Sequence, residues 1–479
     1  MKKRTKIVCT LGPACETQDI LEEMVTAGMN VARLNFSHGT YENHATLIKN
    51  IRAVSKKTGE AITILQDLQG PKIRIGVMPE EGFDLVEGKE IMLDTGIKEF
   101  ADGVMPVDYE QLHEFLKPGE RILINDGRSE IEVKKIEGTR IHGVVTVGGN
   151  ITSHKGMNVP DTKLEIRALT EKDKKDAIFG IEQGVDMMAL SFVMTPEDVL
   201  DLRYHIKEQE KKMALNPEQP IRIVAKIERF EAVKNIKAII DVVDGIMVAR
   251  GDLGVEIPAQ EVPLTQKRLI DVALEAAKPV IVATQLLDSM RENPRPTRAE
   301  VSDVANAVID HTDAVMLSNE TAVGKYPVLT VETMANIIAE TEKSHYDDLQ
   351  VRNYKEKKHQ IDTVISEMSR LIAERVDSKI ILAASISGET GRLISRHRPE
   401  LPIVVATNNE RTRHQLNVSW GVHPFVLPDC RTIEELVERS VTYLKAEKIV
   451  KPGDNIIVVA GEPVGQAGHV NLIEVREVS

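Results

Sequence analysis

Short apolar runs alternate with longer stretches of helical periodicity through most of this chain. Residues 6–11 form the first apolar run and close on Gly12-Pro13. Residues 17–27 follow with apolar positions three and four apart, Thr17 at the start and Gly28 at the end. That is an amphipathic helix with an N-cap hydroxyl and a C-terminal glycine. Residues 30–35 and 62–67 repeat the strand pattern, with a second helix between them. Strand, helix, strand, helix, strand lays down a parallel sheet, because parallel neighbours need a crossover of helical length.

The rhythm breaks between residues 72 and 163. Short alternating strands appear there, separated by turn signals such as Glu87-Gly88, Pro118-Gly119, Asp126-Gly127 and Gly148-Gly149. Only 109–116 reads as a helix. This is the pattern of a small all-β module inserted in a loop. Gln69-Gly70-Pro71 and residues 156–160 read as its hinges, so the module is expected to act as a lid.

The alternation resumes with a helix at 171–183, a strand at 187–193 and a helix at 196–210. Apolar strand runs then recur at 221–228, 245–250, 279–284 and 313–318. Three strands before the insertion and five after it make eight, so the expected fold class is α/β, a TIM (β/α)8 barrel. Residues 1–70 and 168–345 would form the barrel, and 71–167 an inserted β-barrel lid domain. An open doubly wound sheet competes, but no G-x-G-x-x-G follows the first strand. Residues 342–360, dense in Lys, Glu, Asp and His, read as an exposed link. A C-terminal α/β regulatory domain is expected over 346–479, with a helix at 361–375 and strands at 379–384, 402–407 and 455–460.

Composition narrows the class. Aromatics are 3% of the chain against 42% hydrophobic residues, so aliphatic side chains must fill the cores. A net charge of −13 argues against a nucleic-acid or membrane-surface protein. No run approaches the length of a membrane span. Cys9, Cys15 and Cys430 show no C-x-x-C pairing. A cytoplasmic enzyme is the simplest expectation.

Polar residues gather at the carboxyl ends of the expected barrel strands: Arg33, Asn35 and Ser37, then Asp67, Ser191, Lys226 and Glu228, Arg250 and Asp252, Thr284, and Glu320. In a barrel that rim is where chemistry sits. Any one of these has a structural explanation, since strand-end ion pairs are common. Their convergence does not. Glu228 and Asp252 are hard oxygen ligands suited to Mg²⁺ or Mn²⁺. Lys226 offers a fixed positive charge for a transferring phosphoryl group or a developing enolate. Arg33 and Arg74 offer planar forks for phosphate. Asn35, Ser37 and Asp67 suit either a monovalent cation or a hydrogen-bonded support. Near the C-terminus, Ser385, Ser387, Gly388 and Thr390 open a helix, as an anion site or an ordinary N-cap would.

The motifs Ala32-Arg33-Leu34-Asn35-Phe36-Ser37-His38-Gly39, Ala225-Lys226-Ile227-Glu228 and Ala249-Arg250-Gly251-Asp252-Leu253-Gly254 resemble those of the pyruvate kinase family. So do residues 6–13, 283–285 and 293–306, and the likeness spans nearly the whole chain. The resemblance implies phosphoryl transfer from phosphoenolpyruvate to ADP in glycolysis, allosteric regulation and a homotetramer. By position it implies that Lys226 stabilises the transition state and that Glu228 and Asp252 hold the divalent metal. Gly251, Asp252 and Thr284 would contact phosphoenolpyruvate, and Arg33 its phosphate. Asn35, Phe36, Ser37, His38, Arg74 and the lid-base Lys155 would attend the nucleotide, with Asp126 a weaker candidate from the lid. Ser385, Ser387, Gly388 and Thr390 match an effector-phosphate loop for a sugar phosphate or AMP, with residues 461–468 as its companion.

Departures from the family pattern are informative. Potassium-dependent members resemble one another in a run Asp-Thr-Lys-Gly-Pro-Glu; here it is Asp67-Leu68-Gln69-Gly70-Pro71-Lys72. Leu68 removes a hydroxyl from the monovalent position formed with Asn35, Ser37 and Asp67. Lys72 brings a tethered ammonium, so potassium activation is expected to be weak or absent. Arg229-Phe230, His311 and Asn319 also depart, beside catalytic strands. A divalent-metal lyase or aldolase acting on related enolates, or an inactive scaffold, would be the alternatives. The lid with Arg74 and Lys155 favours a nucleotide, and no matched catalytic position is missing.

Overall fold

The structure is a computed structural model describing residues 3–162, 167–215, 219–349, 360–461 and 470–479. Eight parallel strands close into a barrel: Lys6–Thr10, Val31–Asn35, Thr63–Asp67, Met187–Leu190, Arg222–Ile227, Gly245–Ala249, Val280–Ala283 and Ala314–Leu317. Each pairs with its neighbours in sequence, and Lys6 opposite Ala314 closes the ring. The strands are buried on both faces, which is why their sequences run apolar without alternation. Val8, Val31, Leu65, Met187, Val224, Met247, Ile281 and Met316 fill the barrel interior. Residues one position along, such as Ile7, Ile64, Ile223 and Val282, face the surrounding helices.

The inserted module has a six-stranded sheet and a two-stranded one around its own core, including Ile75, Leu93, Ile122, Ile131, Val133 and Ile141. The helix expected at 109–116 shrinks to Leu112–Phe115, since Lys117 precedes Pro118 and that position disfavours helix. At the module's root Gly70 has φ 67°, and an added Cβ would meet Phe192 at 2.8 Å. Only glycine fits that bend without displacing the neighbouring strand end.

The C-terminal sheet is ordered Val422–Val426, Ile403–Thr407, Ile380–Ala384, Asn455–Ala460 and Leu472–Glu477, the last antiparallel. Val422–Val426 was not anticipated because Pro424 interrupts it, a residue that an edge strand tolerates. The companion loop expected at 461–468 lies outside the described residues from 462 on.

One expectation needs correcting. Glu342 and Asp347, read as part of an exposed link, are 9% and 5% exposed. Glu342 accepts hydrogen bonds from Thr5 N at 2.6 Å and Thr5 Oγ1 at 2.7 Å, and Arg4 pairs with both carboxylates. Charge density in the sequence signals exposure, but Arg4 and Thr5, just before the first strand, draw these residues inward.

Arg398 of the C-terminal domain pairs with Asp313 of the barrel, and Arg222 of the barrel donates to Ser387 O at 3.2 Å while held by a carboxylate of its own domain. Asp244 accepts from Arg222 at 2.7 Å, Arg203 at 2.8 Å and Ile223 N at 2.9 Å. Burial works to raise its pKa, but Arg222 and Arg203 outweigh it and hold the carboxyl at about 2. A depressed carboxyl stabilises the fold above its unfolded value, and the stabilisation fades as pH falls from about 4 to 2. Asp244→Asn is therefore expected to cost about 2 kcal/mol at pH 7. The cost should shrink below pH 4 in urea unfolding; a penalty independent of pH would contradict the ionic account. Among the described residues no helix is long and apolar enough to cross a membrane.

Candidate active site

The carboxyl ends of the barrel strands bring most of the expected residues together. Lys226, at the end of the fifth strand, is the centre. Its ammonium donates to Ser191 Oγ at 2.7 Å and lies 3.4 Å from Glu228 Oε2 and 3.5 Å from Asp67 Oδ1. Burial pulls its pKa down, yet the Asp67 and Glu228 carboxylates outweigh burial and hold it above the ordinary lysine value. Lys226 is thus a permanent cation in a dry site, where its field is least screened.

Glu228 has the opposite balance. Burial pushes its carboxyl up to about 7, reinforced by Asp252 and opposed by Lys226. The asymmetry is physical: Lys226 faces three carboxylates, Asp67, Glu228 and Asp252, whereas Glu228 faces one ammonium and two other carboxylates. Oε1 accepts from Phe192 N at 2.7 Å, but the buried Oε2 has no hydrogen-bond partner. An orphaned, buried carboxylate oxygen is the feature a hard cation would satisfy. Glu228 and Asp252 therefore fit Mg²⁺ or Mn²⁺, with oxygens of substrate or water completing the shell. No cluster of three or more His, Cys, Asp or Glu side chains able to hold a metal occurs among the described residues.

Arg33 donates through Nε to Asp67 Oδ2 at 2.6 Å and through Nη1 to Thr10 Oγ1 at 2.8 Å, which fixes its guanidinium plane. Arg33 and Lys226 together hold Asp67 below the usual carboxylate range despite its burial. Thr284 has φ 72°, an uncommon conformation for a β-branched residue. Its hydroxyl accepts from Gly251 N at 2.8 Å and donates to Ala283 O at 2.6 Å. Arg250 secures that loop, donating to Thr284 O at 2.7 Å while pairing with Asp303. Arg250 and Ser191 were recognised in the sequence only as polar strand ends; their holding roles depend on partners far along the chain.

Similarity to known proteins agrees with this geometry. Residues 2–331 match the family model described as "Pyruvate kinase, barrel domain", and residues 363–476 the one described as "Pyruvate kinase, alpha/beta domain". The chain belongs to the pyruvate kinase family. Relatives named pyruvate kinase include that of Geobacillus stearothermophilus, 44% identical over 100% of this chain and 81% of the relative. The Mycobacterium tuberculosis protein is 41% identical over 100% of this chain and 99% of its own. The crystal structure of a pyruvate kinase from Cryptosporidium parvum aligns with TM-score 0.91 and 33% identity, covering 100% of this chain and 97% of that one.

Within the pyruvate kinase frame the remaining residues are placed unevenly. Arg74 donates to His154 O at 3.1 Å and bridges to Gly156, beside Lys155 at the lid base. Burial and the cations Arg74 and Arg33 push His38 below its ordinary pKa. Phe36 differs: its ring is buried and stacked on His44 at 4.1 Å, so only its backbone is open to the rim. Asn35 Oδ1 accepts from Ser37 N at 3.1 Å, and Leu68 is buried. Lys72 does not sit on Asp67, whose charge Arg33 and Lys226 already meet; its ammonium is 3.2 Å from Asp252 Oδ1. The lid tip reaches the barrel, since a Cβ on Gly127, next to Asp126, would lie 3.8 Å from Val255.

In the C-terminal domain, Ser385, Ser387 and Thr390 line a cavity of about 100 Å³. Thr390 N donates to Ser385 Oγ at 3.3 Å, and Gly388 has φ 80°. Arg222 and Arg392 donate to Ser387 O at 3.2 and 3.4 Å from beneath the loop. Asp362, Glu389 and Asp429 line the same cavity.

Proposed function

We propose that this pyruvate kinase transfers the phosphoryl group of phosphoenolpyruvate to ADP with Lys226 as the charge-stabilising residue. The observation that carries the reading is the buried, permanently charged Lys226 ammonium held 2.7 Å from Ser191 and 3.4 Å from the half-satisfied Glu228. A terminal oxygen of ADP bonds to phosphorus while the bond from phosphorus to the enol oxygen breaks. The electron pair leaves as the enolate of pyruvate, which then takes a proton at carbon. Lys226 would stabilise the moving phosphoryl charge and the enolate oxygen without reorganising, because its position is already fixed.

Arg33 would bind the phosphate with its guanidinium plane locked by Asp67 and Thr10. Gly251, Asp252 and Thr284 would line the phosphoenolpyruvate side. The Asn35–His38 backbone run, Arg74 and Lys155 would take the nucleotide as the 71–167 unit closes over the rim. Glu228 and Asp252 would hold Mg²⁺ or Mn²⁺, which when bound supplies Lewis-acid neutralisation of phosphate and enolate oxygens. The acidic residues lining the C-terminal cavity favour an effector with a single phosphate on Ser385–Thr390, such as AMP or a sugar monophosphate, in a homotetramer.

Pyruvate formation from phosphoenolpyruvate, assayed with and without ADP and Mg²⁺, tests the reaction; pyruvate release that does not need ADP would reject it. Adding AMP or a sugar monophosphate to that assay tests the effector, and an unchanged phosphoenolpyruvate dependence would remove it. Potassium is expected to raise turnover less than about twofold in tetramethylammonium buffer, because Lys72 brings its own charge to the rim. Lys72→Glu should create a potassium requirement. Strong potassium dependence of the unaltered protein would end that account.

A further inference from the structure

Lys72, already proposed to bring its own charge to the rim, has a contact there that the potassium account does not use. It follows Gly70 and Pro71 at the root of the inserted module, yet its ammonium reaches the barrel and donates to Asp252 Oδ1 at 3.2 Å. The two side chains are 24% and 27% exposed, against 13% for Lys226, so water and ions reach this pair first. Asp67 has no need of Lys72, since Arg33 stands 2.6 Å and Lys226 3.5 Å from it. Asp67 and Glu228 are thus matched to buried cations, and Asp252 to the more exposed Lys72.

We propose that Lys72 is a tethered competitor for the divalent cation: its ammonium occupies Asp252 in the metal-free protein and must withdraw when a metal binds. This rests on the reading that Glu228 and Asp252 hold the metal. A carboxylate oxygen cannot keep an ammonium at 3.2 Å and also serve a dication at about 2.0–2.1 Å without the two cations repelling across it. The exchange has a mechanical consequence. Lys72 belongs to the module's root, so metal loading releases a bond between that root and the helix Arg250–Glu256. Loading the metal and freeing the lid become one event. A partly exposed ion pair is weak enough to be displaced, which is what such a device requires.

The test is Mn²⁺ titration of the full-length protein without substrates, with free Mn²⁺ read by electron paramagnetic resonance. Lys72→Met should tighten Mn²⁺ binding roughly three- to tenfold, and Lys72→Arg, which keeps the charge, should stay within about twofold of the unaltered protein. Unchanged or weakened binding in Lys72→Met overturns the proposal. Lys72→Met combined with Asp252→Asn separates contact from long-range field: an equal tightening in that background overturns direct competition. If Asp252→Asn alone binds Mn²⁺ as well as the unaltered protein, the metal assignment falls and the competition with it. Loss of binding in Asp252→Asn, with no gain from Lys72→Met in the otherwise unaltered protein, overturns the competition alone.

Discussion

Lys226→Met is expected to lower kcat by about a thousandfold or more while KM for phosphoenolpyruvate moves by less than about tenfold. The split follows from where the ammonium sits. It is held by Ser191, Asp67 and Glu228 before substrate arrives, so its field is oriented toward charge that develops only during transfer. Arg33 remains to bind phosphate, which keeps ground-state binding largely intact. The substitution also leaves Asp67 and Glu228 facing each other without the shared cation, and breaking a buried pair costs about 3–5 kcal/mol of stability. Circular dichroism at the assay temperature must therefore accompany the kinetics. A folded Lys226→Met protein with a kcat loss under tenfold would remove Lys226 from the transition state.

Glu228→Gln is expected to weaken Mn²⁺ binding at least about a hundredfold, with activity falling in parallel. The amide is nearly isosteric and keeps an oxygen for Phe192 N, so the local backbone has no reason to move. Thermal stability should hold or rise. Burial already pushes this carboxyl toward its neutral form, and a neutral amide lifts that penalty. Function here is maintained against stability, as is common where a ligand-binding group is kept buried and unsatisfied. Calorimetric Mn²⁺ titration beside a melting curve reads both quantities. Retained Mn²⁺ affinity, or a melting temperature several degrees lower, would refute this account of the residue.

Much of the site was legible because barrel chemistry repeats a local rule. Each strand run ended in a polar residue, and that rim position recurred at Arg33, Asp67, Ser191, Lys226, Asp252 and Thr284. What the local rule leaves open is pairing. Asp67 and Arg33 are 34 residues apart, and Lys72 and Asp252 are 180 apart. No periodicity spans such distances. Lys72 looked like a replacement for a monovalent cation, and its contact with Asp252 emerged only from the way the lid root crosses the barrel rim. Phe36 belongs to a run that family resemblance gives to the nucleotide, and only the structure shows its ring turned inward onto His44. Glu342 misled for a related reason, since acidic density near a domain junction usually means solvent.

By itself the sequence determined the strand and helix order, the insertion after the third strand, the smaller C-terminal sheet and the residue types at the rim. These follow from burial: a strand covered on both faces must be apolar, and polar atoms survive only at its ends. The tertiary structure alone decided which charge answers which. Arg33 and Lys226 share Asp67, Glu228 Oε2 faces Lys226 without a hydrogen bond, and Lys72 is placed on Asp252. That assignment depends on where each strand end points around a closed ring, and closure is a property of all eight strands together.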